Sequence, residues 1–413
     1  MKKLFLITFL FAIIQNHSYS QEGWFLQYAN DTSKLYETFF IDTLTGWAVG
    51  PGTNLKTTNS GLSWESKNVG YGNTSQDIFF INLNTGWIIG FTYILKTTNG
   101  GDNWTPPVFI SNSLTRLYFL NENTGFLGDF EKCWKTTNGG ANWNFYNLGV
   151  TNIVYFSIDF INSNTGWLGG TNGILFKTTN CGLNWIQKST GVDTRFYGMS
   201  FPTVDTGWGV GFNNTGTSRI LFTSNGGDNW ITQYLNSGVE LDEVLFTSNN
   251  EGWVVGGPGI ILHTSNCGNT WETQDCGVYN ILFEGISFVT PEIGWVAGYI
   301  GSGNAKIFKT TTGGIVPVEN NSDKIPKDFK LFQNYPNPFN PRTVITFQIP
   351  KTSQVKLVVF DNTGKEIAVL VNENMNAGNY TVSFEGANLS SGVYFYRLIT
   401  GEYRLSKSAS TTG

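Results

Sequence analysis

Residues 85–104 read TGWIIGFTYILKTTNGGDNW, and this stretch decides the fold because variants of it recur along the chain. Its first landmark, a glycine followed by an aromatic residue, occurs at Gly46, Gly86, Gly125, Gly166, Gly207, Gly252 and Gly294. Successive glycines are 40, 39, 41, 41, 45 and 42 residues apart. A period of about 40 residues is typical of the four-stranded blades of a β-propeller. The sequence therefore predicts an all-β chain whose main domain is a seven-bladed β-propeller.

A second landmark follows each of the first six glycines and ends in tryptophan. It reads TTNSGLSW (57–64), TTNGGDNW (97–104), TTNGGANW (136–143), TTNCGLNW (178–185), TSNGGDNW (223–230) and TSNCGNTW (264–271). A phenylalanine also precedes each first-landmark glycine by six residues: Phe40, Phe80, Phe119, Phe160, Phe201, Phe246 and Phe288. We expect this phenylalanine to end the first strand of each unit. The glycine-aromatic stretch and the ILKTT-like stretch form the second and third strands, and the segment after the second tryptophan forms the fourth.

The seventh unit lacks the second tryptophan, since KTTTGG at 309–314 runs directly into IVPVEN. The segment GWFLQY at 23–28 resembles WITQY at 230–234, which supplies the fourth strand of another unit. We therefore predict that the N-terminal segment completes blade seven within a propeller domain spanning 21–314. Pairing of the first and last segments would hide two sheet edges that could otherwise aggregate.

The two ends of the chain predict export. Residues 1–20 carry two lysines and then an apolar run, Leu4 to Ile14, which is typical of a secretory signal peptide and too short to span a membrane. No later segment predicts a transmembrane helix. Residues 315–328 form a polar linker, and alternating strands over 329–413 predict a small Ig-like β-sandwich entered through Pro336, Pro338 and Pro341.

These motifs resemble two known families. The second landmark is similar to the Asp box of bacterial neuraminidase (BNR) repeats, with asparagine in the aspartate position. Together with the glycine-aromatic step it resembles secreted propellers related to the photosystem II stability/assembly factor. The order NYPNPFNPRTVITFQIP, AGNYTVSF, LSSGVYFYRL resembles the type IX secretion C-terminal sorting domain. This resemblance implies the type IX machinery as a partner and a secreted or cell-surface location. Such domains usually end in basic and apolar residues, whereas this chain ends SASTTG.

Composition excludes several classes of function. Charged residues make up 13% of the chain, the net charge is −5 and there are two histidines. These values argue against a nucleic-acid partner, a multi-histidine metal site or a histidine-dependent triad, and no cofactor is indicated. His263 occupies a position where most other repeats have lysine, so we interpret it as structural. Cys267 and Cys276 fall in one repeat, and a disulfide between them is left open.

Propellers bind ligands at their central funnel, so we counted back from each phenylalanine to the start of its strand. The candidate binding residues found in this way are Tyr36, Glu37, Asp77, Arg116, Tyr197, Asp242, Glu243 and Glu284, with Gln76 and Phe156 beside them. Carboxylates with aromatic rings suit a sugar, a cation or a basic peptide, although a solvated channel mouth would look the same.

A sialidase needs an arginine cluster, and here only Arg116 and Arg195 fall at inner strands. The sequence assigns no catalytic residue and no metal ligand. It predicts a non-catalytic binding or scaffold module that recognises an extracellular glycan or protein. The alternative is a glycan-active hydrolase or lyase that uses the carboxylates of the funnel.

Overall fold

The computed structural model describes residues 23–72, 74–314 and, apart from 327, 335–336, 338, 340–341, 387–388 and 402, residues 326–411. The chain divides into two compact units, residues 1–316 and 317–413. The predicted signal peptide lies outside the described residues. So do the last two residues and the predicted linker, except Pro326 and Asp328.

The described part of the first unit consists of short strands and one 3-10 helix, Thr171–Gly173. The chain begins with β1 (Phe25–Asn30). Sheet 1 then contains β2 (Glu37–Phe40), β3 (Gly46–Gly50), β4 (Thr53–Thr57) and β5 (Glu65–Ser66). Sheet 2 contains β6 (Ser75–Phe80), β7 (Gly86–Gly90), β8 (Tyr93–Thr97) and β9 (Val108–Phe109). Sheet 3 contains β10 (Arg116–Phe119), β11 (Gly125–Gly128), β12 (Lys132–Thr136) and β13 (Asn144–Asn147).

The same order continues through the unit. Sheet 4 contains β14 (Tyr155–Phe160), β15 (Gly166–Gly170), β16 (Leu175–Thr178) and β17 (Ile186–Lys188). Sheet 5 contains β18 (Gly198–Ser200), β19 (Gly207–Phe212), β20 (Thr217–Thr223) and β21 (Ile231–Ser237). Sheet 6 contains β22 (Glu240–Phe246), β23 (Gly252–Gly257), β24 (Ile260–Thr264) and β25 (Glu272–Thr273). All strand pairs are antiparallel, and the prediction of an all-β chain with four strands per repeat is confirmed.

Sheet 7 draws its strands from both ends of the unit. It contains β26 (Leu282–Phe288), β27 (Gly294–Tyr299) and β28 (Ala305–Thr310), and β1 lies beside β28 as the fourth strand. Phe25 pairs with Lys309, and Asn30 pairs with Ala305. Trp24, just before β1, is fully buried and donates a hydrogen bond from Nε1 to Oε1 of Gln274 at 2.9 Å.

The first landmark and the phenylalanine before it form one packing unit. Phe40 pairs with Gly46 across β2 and β3, and a Cβ atom on Gly46 would lie 2.4 Å from the Phe40 ring. The glycine is required because the ring lies directly over its Cα. The same close approach occurs at Gly86, Gly125, Gly166, Gly207, Gly252 and Gly294.

The aromatic residue of each first landmark joins its sheet to the next one. Trp47 of sheet 1 stacks on Phe80 of sheet 2, with ring centroids 3.5 Å apart. Equivalent stacked pairs are Trp87–Phe119, Phe126–Phe160, Trp167–Phe201, Trp208–Phe246 and Trp253–Phe288. Trp295 of sheet 7 stacks on Phe40 of sheet 1 at 3.5 Å. The first strands of neighbouring sheets also contact one another, in order from sheet 1 to sheet 7 and back to sheet 1.

The second landmark is a turn held by its own side chains. In sheet 1, Thr57 Oγ1 accepts the amide of Gly61, while Asn59 Oδ1 accepts the Thr57 hydroxyl and the amide of Ser63. The Thr and Asn contacts recur in all six copies. Asparagine therefore supplies the acceptor oxygen that aspartate would supply. The variable position of the turn has positive φ where it holds Ser60, Cys181 or Cys267.

The second unit contains seven strands in its described residues. They are β29 (Lys330–Leu331), β30 (Arg342–Ile349), β31 (Ser353–Phe360), β32 (Glu366–Met375), β33 (Gly378–Glu385), β34 (Gly392–Thr400) and β35 (Arg404–Thr411). One sheet has the order β29-β30-β33 and the other β32-β31-β34-β35, and both contribute to a core that includes Phe347, Leu357 and Tyr396. The SAST stretch is part of β35, where Ala409 is buried. These residues thus belong to the last strand and do not trail behind it.

Candidate functional site

The first strands of sheets 1 to 7 surround a cavity of about 450 Å³. We use the term mouth position for the residue four places before each landmark phenylalanine and inner position for the residue three places before it. All seven mouth positions line the cavity: Tyr36, Gln76, Thr115, Phe156, Tyr197, Asp242 and Glu284. The inner positions are Glu37, Asp77, Arg116, Ser157, Gly198, Glu243 and Gly285. All the residues that the sequence predicted for the funnel therefore belong to these two layers.

A β-bulge explains how two successive residues of each strand reach the same centre. In sheet 2 the pairing passes from Ser75 to Asp77, so Gln76 has no partner of its own. The same shift skips Phe156, Asp242 and Glu284. In sheet 1 the amide of Tyr36 donates to the carbonyl of Val49, the residue that pairs with Glu37. Because a bulge interrupts the two-residue alternation, two successive residues of these strands can face the same side.

The inner layer is organised by Arg116. Its Nη1 lies 2.6 Å from Glu37 Oε2, its Nη2 lies 2.5 Å from Glu243 Oε2, and its Nε donates to the carbonyl of Phe156 at 3.0 Å. The Asp77 carboxylate instead accepts the amides of Ile78 and Leu117 at 2.7 and 2.8 Å. Arg116 therefore joins sheet 3 to sheets 1 and 6 across the centre, whereas Asp77 joins the neighbouring sheets 2 and 3.

Burial dominates the electrostatics of the inner layer. It raises the pKa of Glu243 to about 7 and raises the pKa of Glu37 well above its ordinary value, although the Arg116 guanidinium opposes both shifts. The pKa of Asp77 is also raised by burial, against the effect of Arg116 and of its two amide donors. One guanidinium thus serves three buried carboxyl groups.

The mouth layer holds carboxyl groups that Arg116 does not contact. Oδ2 of Asp242 is buried and receives no hydrogen bond from the described residues, and burial raises the pKa of this carboxyl well above its ordinary value. Glu284 accepts a hydrogen bond from the Tyr299 hydroxyl, and burial raises its pKa to about 7. Lys34 Nζ lies 4.4 Å from the centre of the Tyr299 ring.

An aromatic wall adjoins the acidic side of the cavity. Phe156 and Tyr197 stack with ring centroids 4.5 Å apart, and Tyr197 stacks on Phe212 at 5.0 Å. The Arg195 guanidinium lies 5.6 Å from the Phe212 ring and donates to Asn214 Oδ1 at 2.7 Å. The sequence-predicted Tyr197 therefore belongs to a three-ring surface.

Sequence reasoning missed Phe212, Tyr299 and the buried carboxyl of Asp159. Phe212 and Tyr299 end second strands, β19 and β27, whereas the sequence search was confined to first strands. Asp159 directly precedes Phe160, and that offset is its only sequence signal. It accepts the amide of Phe201 at 2.6 Å, and burial raises its pKa to about 6.

The role of Asp159 is structural, because two serines at the same offset make the same contact. Ser200 and Ser287 accept the amides of Phe246 and Phe40 at 3.0 and 2.9 Å.

His263 and the two cysteines of its repeat have structural partners. His263 is buried, and its Nε2 lies 2.6 Å from Glu251 Oε1. Cys267 Sγ lies 2.9 Å from Asn250 Oδ1, and Cys276 Sγ lies 3.5 Å from the carbonyl of Val278. Among the described residues, no group of three His, Cys, Asp or Glu side chains is arranged to hold a metal ion. No helix in the described part of the chain is long and apolar enough to cross a membrane.

Comparison with known families matches both units. Residues 184–277 match the family described as photosynthesis system II assembly factor YCF48, and residues 333–409 match the secretion system C-terminal sorting domain. The chain combines a YCF48-type BNR propeller with a type IX C-terminal sorting domain. The sorting domain indicates export and cell-surface attachment, with the secretion machinery as a partner.

Relatives of the YCF48-type propeller agree with this assignment. The chain is 41% identical over 58 residues to the chloroplastic photosystem II stability/assembly factor HCF136 of Oryza sativa subsp. japonica. The matched segment covers 13% of this chain and 14% of that protein. The chain therefore matches only a small part of that relative's length.

Three solved structures share the fold. YCF48 bound to D1 peptide aligns with a TM-score of 0.55 and 22% identity over 70% of this chain and 97% of that chain. PorZ, a surface component of the type IX secretion system of Porphyromonas gingivalis, aligns with a TM-score of 0.50 and 12% identity. This alignment covers 93% of this chain and 60% of that chain. An ancestral GH74 enzyme aligns with a TM-score of 0.53 and 12% identity, over 94% of this chain and 63% of that chain. At these identities the likeness concerns the fold alone.

Proposed function

We propose that this chain is a secreted or cell-surface binding protein whose ligand enters the mouth of a closed seven-bladed propeller. In this proposal residues 21–314 form the propeller, with β1 closing blade seven. Residues 315–328 form a linker, and residues 329–413 form an Ig-like sorting sandwich. The unbroken cycle of aromatic stacks, from Trp47–Phe80 round to Trp295–Phe40, supports seven blades.

The observation that carries non-catalytic binding is the division of labour among the carboxylates. Glu37 and Glu243 are bound to Arg116, and Asp77 is bound to two backbone amides, so these groups position sheets. The side of the cavity left for a ligand consists of the aromatic wall and the mouth residues. Such a surface offers contact area and hydrogen-bond acceptors, which suit recognition of a glycan or a peptide.

The comparisons support the same reading. One solved relative of the YCF48 type is bound to a peptide, and PorZ is a bacterial surface component. A role as a ligand-binding scaffold at the cell surface fits both observations together with the sorting domain.

The test uses the purified full-length protein on a glycan array and a peptide array, with Tyr197→Ala as the site variant. Phe145→Ala is the matched control, because Phe145 is an exposed aromatic residue on the outer strand β13. We expect capture of a ligand that Tyr197→Ala weakens at least about tenfold and Phe145→Ala leaves unchanged. Absence of binding on both arrays, or equal binding by the two variants, would contradict the proposal.

A second candidate function, polysaccharide hydrolysis or cleavage, is favoured by one observation. Glu284, with a pKa of about 7, is suited to a general acid, and Asp242 lies beside it on the same cavity. A GH74 enzyme also shares the fold. Turnover of xyloglucan or another polysaccharide by the full-length protein, lost in both Glu284→Gln and Asp242→Asn, would establish this activity in place of simple binding.

A further inference from the structure

A second cavity adjoins the mouth and extends the site sideways over sheets 5, 6 and 7. It also measures about 450 Å³ and shares Phe212, Glu240 and Leu282 with the mouth cavity. Its remaining side chains include Val239, Pro258 and Ile281, and the exposed glycines Gly216 and Gly238 leave backbone accessible along it. We call this second cavity the side groove. Because the mouth and the side groove share three lining residues, a ligand longer than one residue can reach both.

The charges of the mouth are not balanced. Arg116 is already bound to Glu37 and Glu243, while Asp242 Oδ2 is buried without a hydrogen-bond donor. Among the described residues, Glu284 accepts a hydrogen bond from the Tyr299 hydroxyl, and Arg116 and Lys34 are the cations that lower its pKa. A buried carboxylate without a donor is costly, and a ligand that brings a cationic donor removes that cost.

The aromatic wall favours the same kind of ligand. Tyr197 and Phe156 line the same cavity as Asp242, and Tyr36 lies close enough to Glu284 for that carboxyl group to raise its pKa. Aromatic faces attract an ammonium or guanidinium group, and the effect grows when the cation leaves water. The side groove adds apolar contact only a short distance away.

We infer that the mouth and the side groove together bind an extended peptide segment of a partner protein, with a lysine or arginine side chain in the mouth and a neighbouring apolar side chain in the side groove. This inference rests on the proposed binding function and names its ligand class. The guanidinium or ammonium group donates to Asp242 and Glu284. The apolar side chain packs against Leu282, Val239 and Pro258, and the peptide backbone runs past the glycines of the groove.

The experiment measures fluorescence anisotropy of N-terminally labelled hexapeptides with the full-length protein. The probes are Gly-Ser-Arg-Leu-Ser-Gly, the same peptide with the order Leu-Arg, and matched peptides in which glutamine or glutamate replaces arginine or serine replaces leucine. We expect the better of the two arginine peptides to bind at least about tenfold more tightly than the glutamine peptide, and the glutamate peptide not to bind. Replacing leucine should weaken binding about threefold to tenfold.

Variants separate the two subsites. Asp242→Asn should weaken the arginine probe at least about tenfold and leave the glutamine probe unchanged, whereas Leu282→Ser should remove the preference for leucine. Glu272→Gln, at an exposed carboxylate on the outer strand β25, is the matched control and should have no effect. Melting curves of all variants establish that each one is folded.

Two results would overturn the inference. Equal affinity for the arginine and glutamine probes would exclude a cation subsite, and an unchanged affinity of Asp242→Asn would exclude the mouth. If oligosaccharides bind in a Tyr197-dependent manner and the arginine probes do not, the inference fails while the proposed function stands. If neither class of probe binds, both fail.

Discussion

Arg116 is the residue on which the inner layer depends, since it contacts two buried carboxylates and opposes the burial-driven rise in the pKa of a third, Asp77. Removing one partner of a buried ion pair leaves a charge that burial penalises. We expect Arg116→Met to lower the free energy of unfolding by about 3–5 kcal/mol at pH 8. The loss should be smaller at pH 5, because Glu37 and Glu243 have raised pKa values and take up protons there.

Urea unfolding of the full-length protein at the two pH values measures this effect. Arg219→Met is the matched control, because Arg219 pairs with the exposed carboxylate of Asp193. That variant should lose less than about 1 kcal/mol at either pH. An Arg116→Met loss that does not depend on pH would contradict the electrostatic explanation.

Glu284 should make stability depend on pH. Its pKa is about 7 in the folded protein, above the ordinary glutamate value, so the folded state holds a proton that the unfolded state releases. The stabilisation is complete below about pH 4 and is lost as pH rises through about 7. The groups that face Glu284 are Tyr36, Tyr299, Lys34, Asp242, Glu240 and Arg116.

We therefore predict that the melting temperature falls between pH 5 and pH 8 and that Glu284→Gln makes this fall shallower. Each pKa unit of the shift corresponds to about 1.4 kcal/mol. Differential scanning calorimetry across this range measures both proteins, with Glu272→Gln as the variant that should keep the wild-type slope. A steeper fall in Glu284→Gln would show that the sign is wrong.

Sequence counting located the mouth and inner residues because the repeat fixes their distance from a phenylalanine that ends the strand. It could not supply the ion pairs, since these join residues from separate repeats, such as Arg116 and Glu243. The sequence also could not predict the raised pKa values of the carboxyl groups, because these values depend on burial by several sheets. Phe212 was missed because it ends a second strand, β19, whereas the candidate residues were taken from first strands alone.

At the level of the strand, the β-bulge is the feature that no sequence pattern predicted. Counting placed both Tyr36 and Glu37 at the funnel, whereas a regular strand would direct only one of two neighbours to the same side. The register shift resolves this conflict in every sheet whose first strand extends past it, as at Gln76 and Phe156. The glycine-phenylalanine pairs and the second-landmark turns, by contrast, follow directly from sequence, because local contacts determine them.

Because β1 pairs with β28, Trp24 is held in a buried site, and we expect it to contribute strongly to the stability of the first unit. Trp24 is fully buried, bonds to Gln274 and packs edge-on against Phe288 with centroids 6.0 Å apart. We expect Trp24→Ala to lower the free energy of unfolding by about 3–5 kcal/mol, the usual cost of such a cavity. Deletion of residues 21–30 should cost more, because it also exposes the edge of β28.

Chemical denaturation of the full-length protein measures this cost. Phe25→Ala is the matched control, since Phe25 directly follows Trp24 but is 41% exposed. We expect it to change the unfolding free energy by less than about 1 kcal/mol. Equal effects of the two substitutions would mean that β1 is held by its backbone pairing and not by Trp24.

At the scale of the whole molecule, the two units have separate cores and separate tasks. A chain that ends near residue 320 should fold its YCF48-type propeller and accumulate in the periplasm. Cell fractionation in a host with type IX machinery measures the location. Conversely, residues 315–413 fused to a periplasmic reporter should carry it to the surface, with processing inside 315–328. A reporter that stays periplasmic would contradict the sorting role.

The end of the sorting domain can be tested in the same assay. Because Ser410 pairs with Val393 and Ala409 is buried, removal of residues 408–413 should destabilise the domain and reduce surface delivery. Ser406→Ala, at an exposed position of β35, is the matched control. Full delivery by the truncated chain would show that the final part of β35 is dispensable.

The partnership of β1 with β28 also constrains how the molecule is made. The two strands are separated by nearly the whole length of the propeller, so the first strand must wait until the last repeat has left the ribosome or the translocation channel. Until then, β1 is unpaired and Trp24 has no cavity to enter. Contacts this distant in sequence form slowly, and the chain whose β1 is still unpaired is the species most exposed to mispairing with another copy. Pairing of β1 with β28 is thus the folding step that most limits the yield of native protein.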